Sequence, residues 1–416
     1  MHGRVKNEKT SWLIFFVVFF GYVLVSMTKN TYSSAMSAIV QEGMVDKGAI
    51  GLINACFYLV YGSTQMLGGY LVDRISPFKL FAFGVLLSAC CNAAMAIWPT
   101  YNVMLTAWSI NGFAQFAIWP AVIKISATVI MSEHTKKVMT YLAFAYPMGS
   151  MLSYLVAAGV LKVATWPWLF WVASFAMLLV APFLIYSEKR AKREIEPDVP
   201  CVQEKKEVKA EKKSGQSVWK LFLKSGIIFM TIPSLIRCML DVGLKSWAPT
   251  MIMEKYSVSP SFATFITTIL IIVNLFAIFI VNWLYPKRFK NAATATAILF
   301  VASTPLLILT VFTGEVHLAF IVLSLALVTT LMTAGSQFMN VIIPAVFSDE
   351  GRTGVVAGFI NTFGAFGCMV SNYAYGYLAE NFGWKITSIV WVVLCAISVV
   401  FCLLNAPFWK KYTAKQ

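Results

Sequence analysis

Residues 69–79 read GYLVDRISPFK, a short charged segment between two long apolar runs. The runs cover residues 49–72 and 78–98 and are almost free of charge. A helix that crosses a lipid bilayer needs about 20 mostly apolar residues, so each run is long enough to span one. The segment therefore predicts a tight connection between two membrane helices, placed at the membrane surface.

The same alternation of apolar runs and short polar connections continues along the whole chain. We predict twelve spans, at residues 11–38, 49–72, 78–98, 102–127, 138–161, 167–187, 226–252, 262–285, 291–313, 317–343, 353–379 and 385–407. Of 416 residues, 59% are hydrophobic and 12% are charged, whereas soluble domains carry about 25% charged residues. The sequence predicts an all-α integral membrane protein and excludes a soluble multidomain one.

A long polar segment divides these spans into two groups of six. Residues 188–224 are dense in Lys and Glu and contain too few apolar residues to form a core of their own. We predict an N-terminal half over 1–187, a cytoplasmic linker over 188–224 and a C-terminal half over 225–416. The end of the linker, residues 217–224, predicts a helix at the membrane interface.

The formal charge of +15 is concentrated in the connections on one side of the predicted bilayer. Outside the linker, that side carries Arg74, Lys79, Lys136, Lys137, Lys287, Arg288, Lys290, Arg352, Lys410, Lys411 and Lys415. The opposite side holds little beyond Lys47, Lys162, Lys255 and Lys385. Because Lys and Arg accumulate in cytoplasmic loops, we predict a cell-membrane protein with both termini in the cytoplasm, and no nucleic-acid partner.

The residues that carry enzyme chemistry are sparse and scattered. Seven of the eight Cys lie in apolar spans, there is no CxxC, and there are three His. Neither a metal-ligand cluster, a catalytic constellation nor a phosphate-binding G-x-x-x-x-G-K-[ST] loop is present in the sequence. We therefore predict no catalytic residues, no metal and no cofactor.

Glycines recur at matching places in the two halves. The fifth span contains YPMGSML from Tyr146, and the eleventh contains FGAFGCMV from Phe363. Small residues permit close contact between helices in lipid, so Gly149 and Gly367 predict such contacts.

The segment 69–79 resembles the signature G-x-L-x-D-R-x-G-R of major facilitator transporters, with Ser76 and Pro77 in place of the later Gly and Arg. In this reading Gly69 permits close packing, and Asp73 forms a conformational latch with a basic residue, with Arg74 beside it. The equivalent segment of the second half, residues 282–288, has lost the acid. The resemblance implies two six-helix halves that alternate around a substrate site at the midplane.

The chain also resembles the organophosphate:phosphate antiporter family. The matching segments are Lys29-Asn30, Tyr61-Gly62, Gly112 to Gln115, Trp119-Pro120, Trp247 to Pro249 and Ala357 to Gly364. That family binds phosphate through two Arg, one Lys and one His, and the corresponding positions here hold Thr28, Asp241, Gln65 and Tyr146. The resemblance therefore does not carry phosphate specificity over to this chain.

Placing an ionisable side chain in the membrane interior costs free energy, so ionisable residues inside the spans are candidates for function. Lys29 in the first span, with Tyr32 three residues on, predicts a binding face, and the alternative is a lysine that extends to the interface. Arg237, Asp241 and Lys245 in the seventh span follow helical spacing, which fits either a structural ion triad or a site for substrate or protons. A contact between Lys29 and Asp241 is a further possibility.

Uncharged polar residues in the spans complete the predicted site, with hydrogen bonds between helices as the alternative role. They are Tyr61, Gln65, Gln115, Tyr146, Asn274 and Gln337.

These residues together predict a secondary transporter of a small polar, anionic organic solute. A solute sensor and a proton-coupled transporter of a cationic or zwitterionic solute are the alternatives. The predicted partners are the solute, a proton or counter-anion, and membrane lipid, and the protein is predicted to be a monomer.

Overall fold

The computed structural model describes residues 3–195, 218–285, 291–347 and 352–414. Most of the predicted linker, together with Lys287, Arg288, Lys290 and Lys415, lies outside the described residues. The helices are α1 (Glu8–Glu42), α2 (Lys47–Arg74), α3 (Pro77–Ile97), α4 (Tyr101–Ala114), α5 (Ile118–Thr128), α6 (Ser132–Val163), α7 (Pro167–Glu194), α8 (Val218–Ser225), α9 (Ile227–Cys238), α10 (Leu244–Tyr256), α11 (Pro260–Asn274), α12 (Ala277–Leu284), α13 (Ala292–Val311), α14 (Leu318–Gln337), α15 (Ile343–Ala345) and α16 (Thr353–Thr413).

All twelve predicted spans coincide with helix. Within the described residues nine helical segments are long and apolar enough to cross a membrane, and a tenth is α2, which bends by 48° near residue 66. The fourth predicted span is divided into α4 and α5, each too short to be counted alone. The eleventh and twelfth spans run together as α16, which is interrupted at Gly383 with φ 76°. The predicted all-α membrane fold is confirmed.

Several spans depart from regular α-helix at their middle. Residues 115–117 form a turn between α4 and α5, and π-helical turns occupy Met239–Gly243 and Phe338–Ile342. A π-turn inserts one residue into a helix and is frequently found at functional sites. Asp241 lies in the first of these turns, and Gln337 immediately precedes the second.

The described residues form two compact units. The first comprises those of 1–45, 52–204 and 260–265, and the second those of 46–51, 205–259 and 266–416. The first residues of α2 thus pack with the second unit, where the Lys47 ammonium lies 3.0 Å from Glu254 and 3.6 Å from Glu380. The division into 1–187, 188–224 and 225–416 stays a prediction. Helix α7 continues to Glu194, because Glu188 and Lys192 form an ion pair of 2.8 Å across its last turns.

The repeated glycines pack in the same way in each unit. A Cβ at Gly149 would collide with the carbonyl oxygen of Val23 in α1, and one at Gly367 would collide with that of Leu235 in α9. The close contacts predicted for both glycines are therefore confirmed. Since Lys29 lies six residues after Val23 and Asp241 six after Leu235, these contacts make Lys29 and Asp241 equivalent positions of the repeat.

Candidate functional site

Lys29 lies on α1 against aromatic rings of α2. Its ammonium nitrogen is 3.7 Å from the ring centroid of Tyr61 and 6.0 Å from those of Phe57 and Tyr58. A cation over an aromatic face is stabilised by about 0.5–2 kcal/mol, more as water is excluded. The side chain is therefore held inside the helix bundle, which favours the binding interpretation of Lys29 over the interfacial one.

The ring that supports Lys29 is itself held in place by its neighbours. The Gln65 amide nitrogen donates to the Tyr61 hydroxyl at 3.1 Å, and the Phe57 and Tyr61 rings stack with centroids 6.0 Å apart. Gln65 and Tyr61 are four residues apart and share a face of α2. The structure thus brings together three of the predicted site residues, Lys29, Tyr61 and Gln65.

A narrow cavity of about 10 Å³ lies beside this group, which is space for about one water molecule. Its lining includes Lys29, Tyr61, Gln115, Tyr22 and Trp119. The Gln115 amide nitrogen is buried and has no hydrogen-bond partner within the described part of the chain. Gln115 occupies the turn between α4 and α5, so its amide points from an interrupted helix towards a polar cavity.

Tyr32 is placed away from this cavity. It is fully buried, with ring centroids 5.3 Å from Trp108 and 6.5 Å from Phe170. Three residues turn a helix by about 300°, so Tyr32 is rotated from Lys29 by about 60°, enough to place it in the aromatic core. Tyr32 therefore packs in the aromatic core and does not line this cavity, and its role in binding stays a prediction. Tyr146, which precedes Pro147 within α6, is 39% exposed.

The second unit holds the predicted charged stripe. The Lys245 ammonium lies 2.5 Å from the Asp241 carboxylate, and a guanidinium nitrogen of Arg237 lies 3.8 Å from its other oxygen. The Thr333 hydroxyl of α14 is 3.5 Å from the same carboxylate. Ion pairing of the three charges is confirmed. Only 14% of the Asp241 side chain is exposed, and the π-turn directs it towards α14.

Arg237 is the most enclosed of the three charges, with 8% of its side chain exposed. It lies beside Gly335 and Gly364, whose missing side chains leave room for it, and it donates to the Cys238 sulfur. Its Nε has no hydrogen-bond partner among the described residues. A buried guanidinium with an unsatisfied donor has capacity to bind a further acceptor.

Asn274 contributes to helix packing. Its amide oxygen accepts from the hydroxyls of Thr329 at 3.1 Å and Thr330 at 2.9 Å, both on α14. These contacts correspond to the alternative role, a hydrogen bond between helices. Gln337 ends α14 and is partly buried, one turn beyond Thr333.

In the signature segment Asp73 pairs with a basic residue, as predicted, while its role as a conformational latch stays a prediction. Asp73 pairs with Lys124 of α5 at 3.1 Å, and the same ammonium caps the end of α2 at the Val72 carbonyl, 2.6 Å away. Arg74 instead lies over the ring of Tyr70, with its guanidinium carbon 4.2 Å from the centroid.

The packing role predicted for Gly69 is wrong, and the preceding glycine has it. A Cβ at Gly69 would meet nothing within 4 Å, whereas one at Gly68 would collide with the Phe116 carbonyl oxygen. The bend in α2 turns Gly68 towards the interruption between α4 and α5.

Three residues near the charged groups were not predicted: Tyr22, Trp119 and Thr333. Tyr22 and Trp119 pack together over the cavity, with ring centroids 4.9 Å apart. Tyr22 lies seven residues, or two helical turns, before Lys29. This spacing places both side chains on one face of α1, so it could have been used to predict Tyr22 as a neighbour of Lys29. Thr333 could have been predicted from its spacing, because Thr329, Thr333 and Gln337 recur every four residues and form a polar stripe along α14.

Within the described residues, no group of three His, Cys, Asp or Glu side chains is placed to hold a metal ion. The polar groups at both sites are cations, amides and hydroxyls with one carboxylate, which suits recognition of a charged solute.

Comparison with known proteins agrees with this picture. The chain is 20% identical to a probable hexose phosphate transport protein of Chlamydia trachomatis, over 97% of this chain and 92% of that protein. It is 20% identical to a glycerol-3-phosphate transporter of Bacillus subtilis, over 94% of this chain and 91% of that protein. These relatives confirm the predicted resemblance to organophosphate transporters.

A solved structure has the same fold. It is a bacterial homologue of the human lysosomal transporter Spinster, with TM-score 0.81, 13% identity and coverage of 97% of this chain and 98% of that one. The sequence profile of the Major Facilitator Superfamily matches residues 18–372. The chain therefore belongs to the Major Facilitator Superfamily of membrane transporters.

Proposed function

We propose that this protein transports a small organic anion by alternating access, with Lys29 and the stripe Arg237–Asp241–Lys245 as its recognition groups. The observation that supports the proposal is that charged residues, Lys29 and Asp241, occupy equivalent positions of the repeat. The first and seventh spans hold three cations and one carboxylate, all in otherwise apolar helices. An excess of positive charge in a membrane interior is costly, and a bound anion reduces that cost.

The relatives suggest the first solutes to test. The proteins with 20% identity are named for hexose phosphate and glycerol-3-phosphate. A phosphate ester requires several charge-assisted donors, which Arg237 and Lys245 are able to supply in the second unit and Lys29 in the first. Because the Asp241 carboxylate is paired with Arg237 and Lys245, the solute must compete with this carboxylate for the two cations. Carboxylates, which need fewer donors, form the second class of candidates.

Asp241 favours a second candidate, a proton-coupled transporter of a zwitterionic solute. Its carboxylate lies at the position of the repeat that Lys29 holds in the other half. A zwitterion carries an ammonium group, which would pair with Asp241 in the second unit. In this alternative, protonation of Asp241 couples transport to the proton gradient.

In the main proposal the driving force is a counter-anion or a proton, and the protein works in the cell membrane as a monomer with both termini in the cytoplasm. It catalyses no covalent chemistry. The excess of Lys and Arg in the connections on one side supports this orientation.

Ligand-induced thermal stabilisation of the purified protein tests the solute class. A ligand at 100 times its Kd stabilises the folded state by about 2.7 kcal/mol. We expect phosphate esters or carboxylates to raise Tm, and the shift to disappear in Lys29→Gln. Lys162→Gln, which changes an exposed lysine of α6, is the matched control and keeps the shift. Stabilisation by zwitterions alone favours the second candidate. Equal shifts in both variants contradict the role of Lys29.

A further inference from the structure

The short helix α8 is a separate element in front of the seventh span. Gly226, with φ 75°, ends it and starts α9 in a new direction. Its Leu221 and Phe222 are buried, and the Phe222 ring lies 4.6 Å from that of Phe359 in α16. Trp219 and Leu223 remain 60% and 58% exposed. A helix with one docked apolar side and further exposed apolar residues is typical of an element at the membrane interface.

A cavity of about 450 Å³ opens between α8 and the end of α16. Its lining consists of Leu223, Lys224, Pro407, Phe408, Lys411 and Tyr412. The Tyr412 ring stacks on Phe347 with centroids 5.2 Å apart, and the Phe408 ring packs on Phe229 at 5.5 Å. These contacts fix the walls of the cavity, and the lining combines apolar surface with two cations.

The two described segments that line this cavity carry charge of one sign. Lys224 and Lys411 line it, and neither residues 218–225 nor residues 405–414 contain an Asp or Glu. Both lysines are exposed, so their ammonium groups are available to a ligand in the headgroup region. Leu223 and Phe408, 58% and 43% exposed, continue the cavity as apolar surface on which a hydrocarbon chain fits.

We propose that this cavity binds one anionic phospholipid. The phosphate lies between the Lys224 and Lys411 ammonium groups, and an acyl chain lies along Leu223, Pro407 and Phe408. A lysine pair beside apolar surface at a membrane interface matches the two parts of such a lipid, and basic pockets of this kind recognise acidic headgroups. The proposal rests on the family's location in a membrane and is independent of the transported solute.

Lipid titration of the purified full chain tests the proposal. Phosphatidylglycerol is added to protein in zwitterionic nanodiscs, and Tm is followed as a function of its mole fraction. Each lysine near the membrane surface contributes about a fivefold change in affinity, so Lys224→Gln with Lys411→Gln is expected to weaken binding about thirtyfold. The double substitution to Arg keeps the charges and is expected to retain binding.

Lys410→Gln is the matched control, because Lys410 is exposed next to Lys411 but does not line the cavity. Phosphatidylcholine with the same acyl chains separates the contribution of the headgroup charge from that of the chain. We expect stabilisation by phosphatidylglycerol and not by phosphatidylcholine, in the unaltered protein and in Lys410→Gln. Equal stabilisation by phosphatidylcholine, equal affinity in Lys410→Gln and the double Gln variant, or a Tm shift by soluble glycerol phosphate that the double Gln variant loses would overturn the proposal.

Discussion

At the scale of single residues, the contact between Lys29 and Tyr61 gives the sharpest prediction. Lys29→Gln removes the charge over a ring 3.7 Å away and is expected to lower uptake at least about a hundredfold, since one lost charge-assisted contact costs about 3 kcal/mol. Tyr61→Phe keeps the aromatic face and is expected to retain most activity, whereas Tyr61→Leu is expected to lose it. Initial rates in cells with matched membrane expression measure the difference.

Equal uptake in Tyr61→Leu and Tyr61→Phe would show that the aromatic face does not support Lys29. Lys162→Gln is the control in the same unit, because Lys162 is an exposed lysine of α6 that does not line the cavity. It is expected to retain transport of solute.

The charged stripe predicts a coupled effect. Asp241→Asn leaves Arg237 buried without its carboxylate partner, and breaking a buried pair costs about 3–5 kcal/mol. We expect loss of uptake and a lower Tm. Adding Lys245→Gln removes one of the two cations that face the lost carboxylate and is expected to recover part of the stability. A double-mutant cycle measured by thermal unfolding gives the coupling between Asp241 and Lys245.

A coupling free energy of zero between Asp241 and Lys245 would contradict the ion pair at 2.5 Å. Glu315→Gln, at an exposed position of the same unit, is the control for loss of a carboxylate and is expected to leave Tm unchanged.

At the scale of elements, adjacent glycines of α2 offer a matched pair. Gly68→Ala places a methyl group against the Phe116 carbonyl oxygen, whereas Gly69→Ala points into open space. Overpacking of this kind typically costs about 1–3 kcal/mol. We expect lower Tm and expression for Gly68→Ala and unchanged values for Gly69→Ala. The reverse order would mean that the bend in α2 differs from the one described here.

The repeated glycines allow the close packing of helices to be tested in each unit. Gly149→Val and Gly367→Val would push α6 from α1 and α16 from α9, and both are expected to reduce folded protein in the membrane. Gly159→Val and Gly358→Val, where a Cβ meets nothing within 4 Å, are expected to be tolerated. Fluorescence size-exclusion chromatography of the four variants measures the outcome, and similar profiles would contradict the packing register.

The elements were predictable to different degrees, for physical reasons. Spans follow from about 20 apolar residues in sequence, which is a local property, so all twelve were found. The π-turn that contains Asp241 is not local, because it depends on packing of the seventh span against α14. The bend that exchanges the roles of Gly68 and Gly69 also depends on a neighbouring helix. For that reason helical spacing did not reveal that Tyr32 packs in the aromatic core, and the resemblance to the transporter signature did not reveal that Gly68 packs closely in place of Gly69.

At the scale of the whole molecule, the two halves carry opposite charges at equivalent positions of the repeat. The lysine of the first span and the carboxylate of the seventh occupy matching places relative to the glycines that pack each unit. The relatives cover nearly the full length of the chain, so the architecture of the family extends over both halves. The sequence alone predicted an anionic solute from these charges, whereas the glycine contacts that make the two positions equivalent are visible only in the structure.

Transport of an organic anion through Lys29 can be measured in proteoliposomes. Uptake of labelled glycerol-3-phosphate and a panel of labelled carboxylates is measured with unaltered protein, Lys29→Gln and Lys162→Gln, with and without an imposed ion gradient. We expect saturable uptake of at least one anion that Lys29→Gln abolishes and Lys162→Gln retains. Uptake that is equal in the two variants, or binding of an anion without any flux, would show that Lys29 does not carry anion transport.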